Sequence, residues 1–347
     1  MANYTNFDHP SLNEAISNKT HDKIQFYLEA SRYFVLIMIP IFIFGIVSNL
    51  LLLITINKCK RFNTPSYILS ANMAISDIIL LSTALIFFVI NSFWLFNVTN
   101  SYFKYQKFLC RVNYFMLNAS FTTSSQSLMA ISIDRYLTIT HLDRPSPFIN
   151  RKFLNITILL TWIIGLTVAS PFMVITNVDN RVPFMCDLAY SDQLLMSIYL
   201  LAAVTIGYPV PLTVVTILYY KVMRRIQSKI MRQEPNITVV HRRGYRQINA
   251  TKIMFIATFL FMSNSLPFSI IWLAIAIVGK SYIELLLSLS RFMFILISCT
   301  FGLGIMNALQ NPIIFIVYNQ SFRRAAFSML RKYISFRCTT ACYKRKI

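Results

Sequence analysis

Charge is what this sequence has least of. Only 13% of its 347 residues are charged and 56% are hydrophobic, whereas about a quarter of a soluble domain is charged. Glycine is limited to seven residues and proline to twelve, which excludes collagen-like and low-complexity classes. The six cysteines include no Cys-x-x-Cys pair, so neither a disulfide scaffold nor a zinc site is expected. Four histidines, His9, His21, His141 and His241, fall in tails or loops. No nucleophile–base pair is arranged within the apolar segments, so the chain does not read as an enzyme. The first 30 residues contain no apolar h-region. No cleavable signal peptide is expected, and the first apolar run serves as its own membrane signal.

What remains is hydrocarbon. A bilayer core of about 30 Å needs about 20 apolar residues as a helix. Seven runs meet that length: 33–56, 66–93, 108–139, 154–176, 194–222, 252–278 and 283–318. Backbone groups in lipid must be satisfied within the segment, so each run is expected to be helical, with kinks at Pro40, Pro171, Pro209, Pro211, Pro267 and Pro312. The fold class read from this is an all-α membrane protein, a seven-transmembrane helix bundle. Net charge is +21, a value that in a soluble protein would point to nucleic acid. Here the charges avoid the runs, and 24 of the 33 basic residues lie on one side of the membrane. That asymmetry makes the basic side cytoplasmic and the N-terminus extracellular, and it argues against a nucleic-acid partner.

Beyond the last run, Phe322, Ala326, Phe327 and Leu330 share one helical face with arginines opposite. This predicts a short amphipathic helix on the inner bilayer surface. The expected organisation is an extracellular N-terminal tail over 1–30, the seven-span domain over 31–320, the surface helix over 321–333 and a cytoplasmic tail over 334–347. Asn3, Asn18 and Asn97 are glycosylation sequons on the outer side. Cys338 and Cys342, just past the surface helix, are candidates for palmitoylation or for plain reduced thiols.

Polar groups inside the membrane are costly and mark function by default. Asp77 lies mid-span two, Asn49 mid-span one, Ser124 in span three, and Asn307 and Asn311 in span seven before Pro312. Asp77 facing these groups suits either a bound cation or hydrogen-bonded contact between helices. At the inner end of span three stands Asp134-Arg135-Tyr136. An arginine there has two alternatives, pairing with Asp134 or release to a partner, which makes a bistable element.

Taken in order, these residues resemble the rhodopsin-like G protein-coupled receptors, from about Tyr33 to Tyr333. Asn49 matches the span-one asparagine, and Asn72-Met-Ala-Ile-Ser-Asp77 the span-two motif. Cys110 and Arg135 stand 25 residues apart, as the family's span-three pair does, and Trp162 matches the span-four tryptophan. Pro211 with Tyr219, Phe261 with Pro267, Asn311-Pro312-Ile-Ile-Phe315, and Phe322-Arg323 complete the series. The resemblance implies a Cys110–Cys186 disulfide, an Arg135 that meets a heterotrimeric G protein when span six swings outward, and a sodium site at Asp77, Ser124, Asn307 and Asn311. No other cofactor is implied. Three positions depart from the pattern. Ser265 stands where the family has tryptophan, Phe315 where it has tyrosine, and Gln247 where it has an acid. Without that acid Arg135 lacks a second ionic partner, so some basal signalling is expected.

The resemblance also narrows the ligand. Leu117 replaces the aspartate of amine receptors, and Ile305 stands where opsins carry the retinal lysine. Neither a monoamine receptor nor an opsin is expected. The candidate pocket is Asn91, Arg111, Leu117, Asn118, Phe121, Thr122, Phe268, Ser269, Trp272, Phe294, Ser298 and Phe301. With Arg111, Arg181, Glu284 and Arg291 around an apolar throat, an extracellular peptide is the first reading and a lipid or small neutral ligand the second. Two other classes compete. A transporter would show an internal repeat, and none is seen between the halves. A seven-span membrane protein that does not signal is kept open by the departures at Ser265, Phe315 and Gln247.

Overall fold

The computed structural model describes residues 10–97, 103–140, 146–178, 186–188, 192–232 and 238–343. In the helical stretches 10–21, 93–97, 103–104, 226–232, 238–254 and 332–343 the description is of the backbone alone. Asn3 and Arg181 lie outside the described residues, as do the side chains of Asn18, Asn97, Gln247, Cys338 and Cys342.

Seven helical crossings form the bundle. They are α1 (Pro10–Lys58), α2 (Pro65–Asn97), α3 (Phe103–Thr140), α4 (Arg151–Ala169), a fifth crossing continued across a break, α8 (Thr238–Val278) and α10 (Arg291–Tyr318). The short α5 (Phe172–Ile175) precedes the fifth crossing, which is built from α6 (Gln193–Gly207) and α7 (Pro209–Arg232). α9 (Tyr282–Ser288) sits between α8 and α10, and α11 (Gln320–Tyr343) follows the last crossing.

Six of the seven are long and apolar enough to cross a membrane by composition alone, and α3 is the exception. Its middle carries Ser120, Thr122, Thr123, Ser124, Ser125, Gln126 and Ser127, all buried. A helix this polar is tolerated because other helices, not lipid, surround it and supply hydrogen-bond partners. Gly165 of α4 lets the two backbones approach, since a Cβ there would stand 2.8 Å from the Ala119 carbonyl oxygen.

Pro40, Pro267 and Pro312 lie inside continuous helices, whereas α4 ends before Pro171 and the fifth crossing is broken before Pro209. Pro312 lies inside α10 and has no N–H for the Ala308 carbonyl four residues earlier. Asn49 of α1 donates to that carbonyl at 2.7 Å. At the α6–α7 break, Gln126 of α3 donates to the Ile206 carbonyl at 3.1 Å. Tyr208 at the same break donates to the Met262 carbonyl of α8 at 2.9 Å.

Four features differ from the sequence expectation. The expected run 283–318 is two helices: Ser281 and Glu284 form a capping box that starts α9, and Ser290 caps α10. A two-stranded antiparallel sheet, β1 (Thr176–Val178) with β2 (Cys186–Leu188), covers the outer face, and Val178 pairs with Cys186. The tail expected over 1–30 is helical from Pro10 onward and runs unbroken into the first span. Its inner part docks. Lys23 donates to the Leu287 and Leu289 carbonyls, and Tyr27 donates to the Leu286 carbonyl at 3.0 Å and stacks on Phe294 at 4.0 Å. The helix after the last span continues to Tyr343 rather than stopping at 333. Phe322 is its anchor, fully buried against Phe62 and Phe315.

Candidate functional site: a ligand cavity and an inner switch

The outer half of the bundle is fixed by the sheet. Cys110 of α3 and Cys186 of β2 form the expected disulfide, with Cα atoms 5.5 Å apart. Asp187 then accepts from the Leu188 and Ile283 backbone N–H groups, tying the hairpin to α9. Burial and the Asp187 carboxylate push the neighbouring Tyr282 hydroxyl above its ordinary range.

Two cavities occupy the region of the expected pocket. The larger, about 440 Å³, lies among α1, α2, α3, α9 and α10 and is lined by Asn91, Leu117, Phe294, Ser298 and Phe301 of the expected set. The smaller, about 20 Å³, lies toward α4, α6 and α8 and is lined by Asn118, Phe121, Thr122, Phe268, Ser269 and Trp272. Aromatic contacts separate them: Tyr114 meets Trp272 at 6.1 Å, and Phe268 meets Phe301 at 5.3 Å. The buried Trp272 indole N–H has no hydrogen-bond partner.

Arg111 lines neither cavity. Its guanidinium donates to the Thr176 and Val174 carbonyls, because a cation beside the hairpin finds backbone acceptors there first. Glu284 is spent on the α9 capping box, and Arg291 lies over the Phe26 ring at 5.3 Å. These three charges therefore hold the framework instead of forming a charged mouth. Sequence reasoning missed the α1 wall (Ala30, Ser31, Phe34) together with Asn113, Tyr114 and Tyr282. Asn113 and Tyr114 stand one turn before Leu117 and were within reach of helical spacing. No sequence signal marks the α1 residues.

Below the pocket, the expected sodium residues converge on Asp77. Ser124 donates to Asp77 Oδ1 at 3.4 Å, and Asn311 donates to Oδ2 at 3.2 Å. Asn307 turns its N–H to Ser265 Oγ at 2.8 Å, which leaves its Oδ1 buried without a partner. Asp77, Ser120, Ser124 and Asn307 line a cavity of about 10 Å³, about the space of one water. An orphaned amide oxygen, two hydroxyls and a carboxylate around one small void fit a hard cation. Asn311 presents an N–H to Asp77, so it supports the carboxylate and adds no ligand oxygen.

Between the cavities and the inner face the switch residues form contacts across helices. Phe261 stacks on Phe121 at 5.8 Å, and Ser265 Oγ returns to the Phe261 carbonyl at 2.7 Å. Pro267 lies within α8 two residues beyond Ser265. Tyr219 and Thr258 share a hydrogen bond at 3.4 Å. Phe315, lacking a hydroxyl, packs between Tyr67 and Phe322 at 5.5 Å from each. A further contact had no sequence signal. Gln310 donates to the Ala257 carbonyl and accepts from Asn264, joining α10 to α8.

At the inner end, Asp134 accepts from Ser66 at 2.8 Å, from Ser146 at 2.9 Å and from Arg135 at 3.0 Å. Arg135 also donates to Ser66, while its buried Nε has no partner. Tyr136 lines a basic cleft with Thr140, Tyr220, Lys221, Arg224 and Arg225.

A family model described as 7 transmembrane receptor (rhodopsin family) matches residues 48–315. The chain is similar to atypical chemokine receptor 4 of Homo sapiens, 23% identical over 92% of this chain and 88% of that receptor. It is also similar to the RYamide receptor of Drosophila melanogaster, 24% identical over 79% of this chain and 57% of that receptor. A third relative is the GQ-coupled rhodopsin of Mizuhopecten yessoensis, 22% identical over 87% of this chain and 62% of that protein. The seven crossings, the disulfide at the outer end of α3 and the Asp134–Arg135 pair at its inner end thus stand in a chain that belongs to the rhodopsin family of seven-transmembrane receptors.

Proposed function

We propose that this receptor binds an extracellular peptide and activates a heterotrimeric G protein at the cytoplasmic side. The observation that carries the coupling is Arg135. It is held by Asp134 and Ser66, one residue before Tyr136, which lines a basic cleft with Lys221, Arg224 and Arg225. Outward movement of α8 would break the Tyr219–Thr258 and Gln310–Ala257 bonds and open room for a partner segment, which the basic cleft attracts if it is acidic. The peptide reading draws on the relative named for RYamide, a peptide.

The test is nucleotide exchange on purified G proteins of each class, with receptor in nanodiscs and neuropeptide, lipid and amine libraries as ligands. Peptide-dependent exchange that Arg135→Ala abolishes supports the reading. Exchange driven only by an amine, or no exchange with any ligand or class, rejects it.

We further propose that Asp77, Ser124 and Asn307 would hold a sodium ion that favours the inactive arrangement. When bound, the ion supplies positive charge to a carboxylate that hydrogen bonds alone satisfy. The chain's part is to offer oxygens and to keep Asn311 donating to Asp77.

A further inference from the structure

The larger cavity does not end inside the bundle. Tyr33 and Ile37 of α1 and Ile295 of α10 line it, and they are 71%, 60% and 47% exposed. All three lie in the outer parts of the apolar stretches Asp22–Lys58 and Arg291–Tyr318, where the outer leaflet is the apolar surface that an exposed Ile37 or Ile295 can meet. The cavity therefore runs from Cys186 and Tyr114 near the bundle axis to an opening between α1 and α10 on the lipid side. The gap is kept by small side chains, Ala30 and Ser31 on one wall and Ser298 and Cys299 on the other. From the water side the same α1–α10 seam is bridged by the Lys23 and Tyr27 contacts to α9 and by the stacking of Tyr27 on Phe294.

The lining gives the chemistry of an occupant. None of the lining residues carries a formal charge, and aliphatic and aromatic side chains predominate. Both amides, Asn91 and Asn113, lie with Tyr114 and Tyr282 away from the opening, where the polar side chains are the hydroxyls of Ser31, Tyr33 and Ser298. An anionic or zwitterionic head would lose its hydration there with no counter-charge, which is prohibitive. A volume of about 440 Å³ lies within the roughly 300–1,000 Å³ of small-molecule sites. We propose that this cavity takes a neutral single-chain lipid from the outer leaflet, entering sideways between α1 and α10. Its hydroxyl or amide head meets Asn91, Asn113 and Tyr114, and its chain lies against Phe34, Phe88 and Ile295. Such an occupant touches Leu117 and Phe301, and through Phe301 the Phe268 ring of α8. The inference goes beyond the peptide reading and does not require it.

The experiment reads binding, so it is independent of whether the receptor couples. Full-length receptor is placed in phosphatidylcholine nanodiscs with a monoacylglycerol carrying a diazirine in its chain. Cross-links are expected on peptides covering residues 30–37 and 295–305, and unlabelled monoacylglycerol should compete them away. Ser298→Phe should lower their yield about tenfold, within the cost of overpacking a filled site. Ser31→Phe, on the opposite wall, should do the same, which guards against one variant failing to fold. An intact Cys110–Cys186 disulfide and monodisperse elution report the fold of each. Cross-links spread evenly over the outward faces of α4 and α7 would mean ordinary annular lipid and overturn the proposal. So would competition by cholesterol but not by monoacylglycerol, or an unchanged yield in both folded variants.

Discussion

At the scale of single residues, the bundle rests on a few polar side chains that each serve more than one helix. Asn72 of α2 accepts from the Trp162 indole at 2.8 Å and donates to Ser127 and Thr161. Asn72→Ala leaves the Trp162 indole N–H without its acceptor, at a cost of about 1–3 kcal/mol for a buried unsatisfied group. The melting temperature of detergent-purified receptor should fall clearly, while Trp162→Phe, which removes only one donor, should lower it less. Asp77 permits a second test. Sodium should raise the melting temperature of the wild type over potassium at equal ionic strength, and Asp77→Asn should abolish the difference. A sodium shift that survives Asp77→Asn would place the ion elsewhere. The outer disulfide closes a loop across 76 residues. Cys110→Ser should cost about 2–5 kcal/mol, read as lost surface expression and a lower melting point. These residues were legible in the sequence because each is an exception, a polar group where lipid or a packed core is expected. Arg111 and Arg291 were read less well. A charged side chain near the surface names no partner until the carbonyls of β1 or the Phe26 ring are placed beside it.

At the scale of elements, the helices themselves were plain from hydropathy and their ends were not. The break between α9 and α10 lies inside an apolar run, and only Ser281, Glu284 and Ser290 mark it. Capping signals of one hydroxyl are easily lost in such a stretch. The α1 wall of the larger cavity was invisible for another reason. Whether Ala30 and Ser31 face a neighbour or a void depends on how far α1 leans from α10, which no local pattern encodes. The junction of α8 and α10 carries a functional expectation. Gln310 bonds both the Ala257 carbonyl and Asn264, in a receptor whose α8 offers Arg135 no acidic partner at Gln247. This amide contact is expected to hold α8 in place of the missing ionic one. Gln310→Leu keeps the volume and removes two bonds of about 1 kcal/mol each. Basal nucleotide exchange should rise roughly fivefold or more. An unchanged basal rate in a variant expressed at wild-type level would show that the contact is structural only.

At the scale of the whole molecule, the charge distribution is expected to set the orientation across the membrane. An epitope at the N-terminus should be stained on intact cells and one at the C-terminus only after permeabilisation, as the excess of lysine and arginine on one side requires. The reverse pattern would invert every assignment of outer cavity and inner switch. The family pattern and the fold agree over the crossings because both express one constraint, backbone hydrogen bonds closed within each span. At the outer surface the hairpin, α9 and the extended α1 are held instead by the disulfide and by side-chain contacts.

The hydroxyl-rich α3 also has a consequence for how the receptor is made. A segment with seven consecutive-region polar side chains from Ser120 to Ser127 partitions poorly into lipid by itself. Its stable insertion is expected to depend on α2, already made, and on α4, still to come, whose Asn72 and Thr161 meet it in the finished bundle. A nascent chain truncated after α3 is therefore expected to remain extractable by alkali, and one truncated after α4 to resist. Substitutions at this seam would act on biogenesis before they act on the mature receptor.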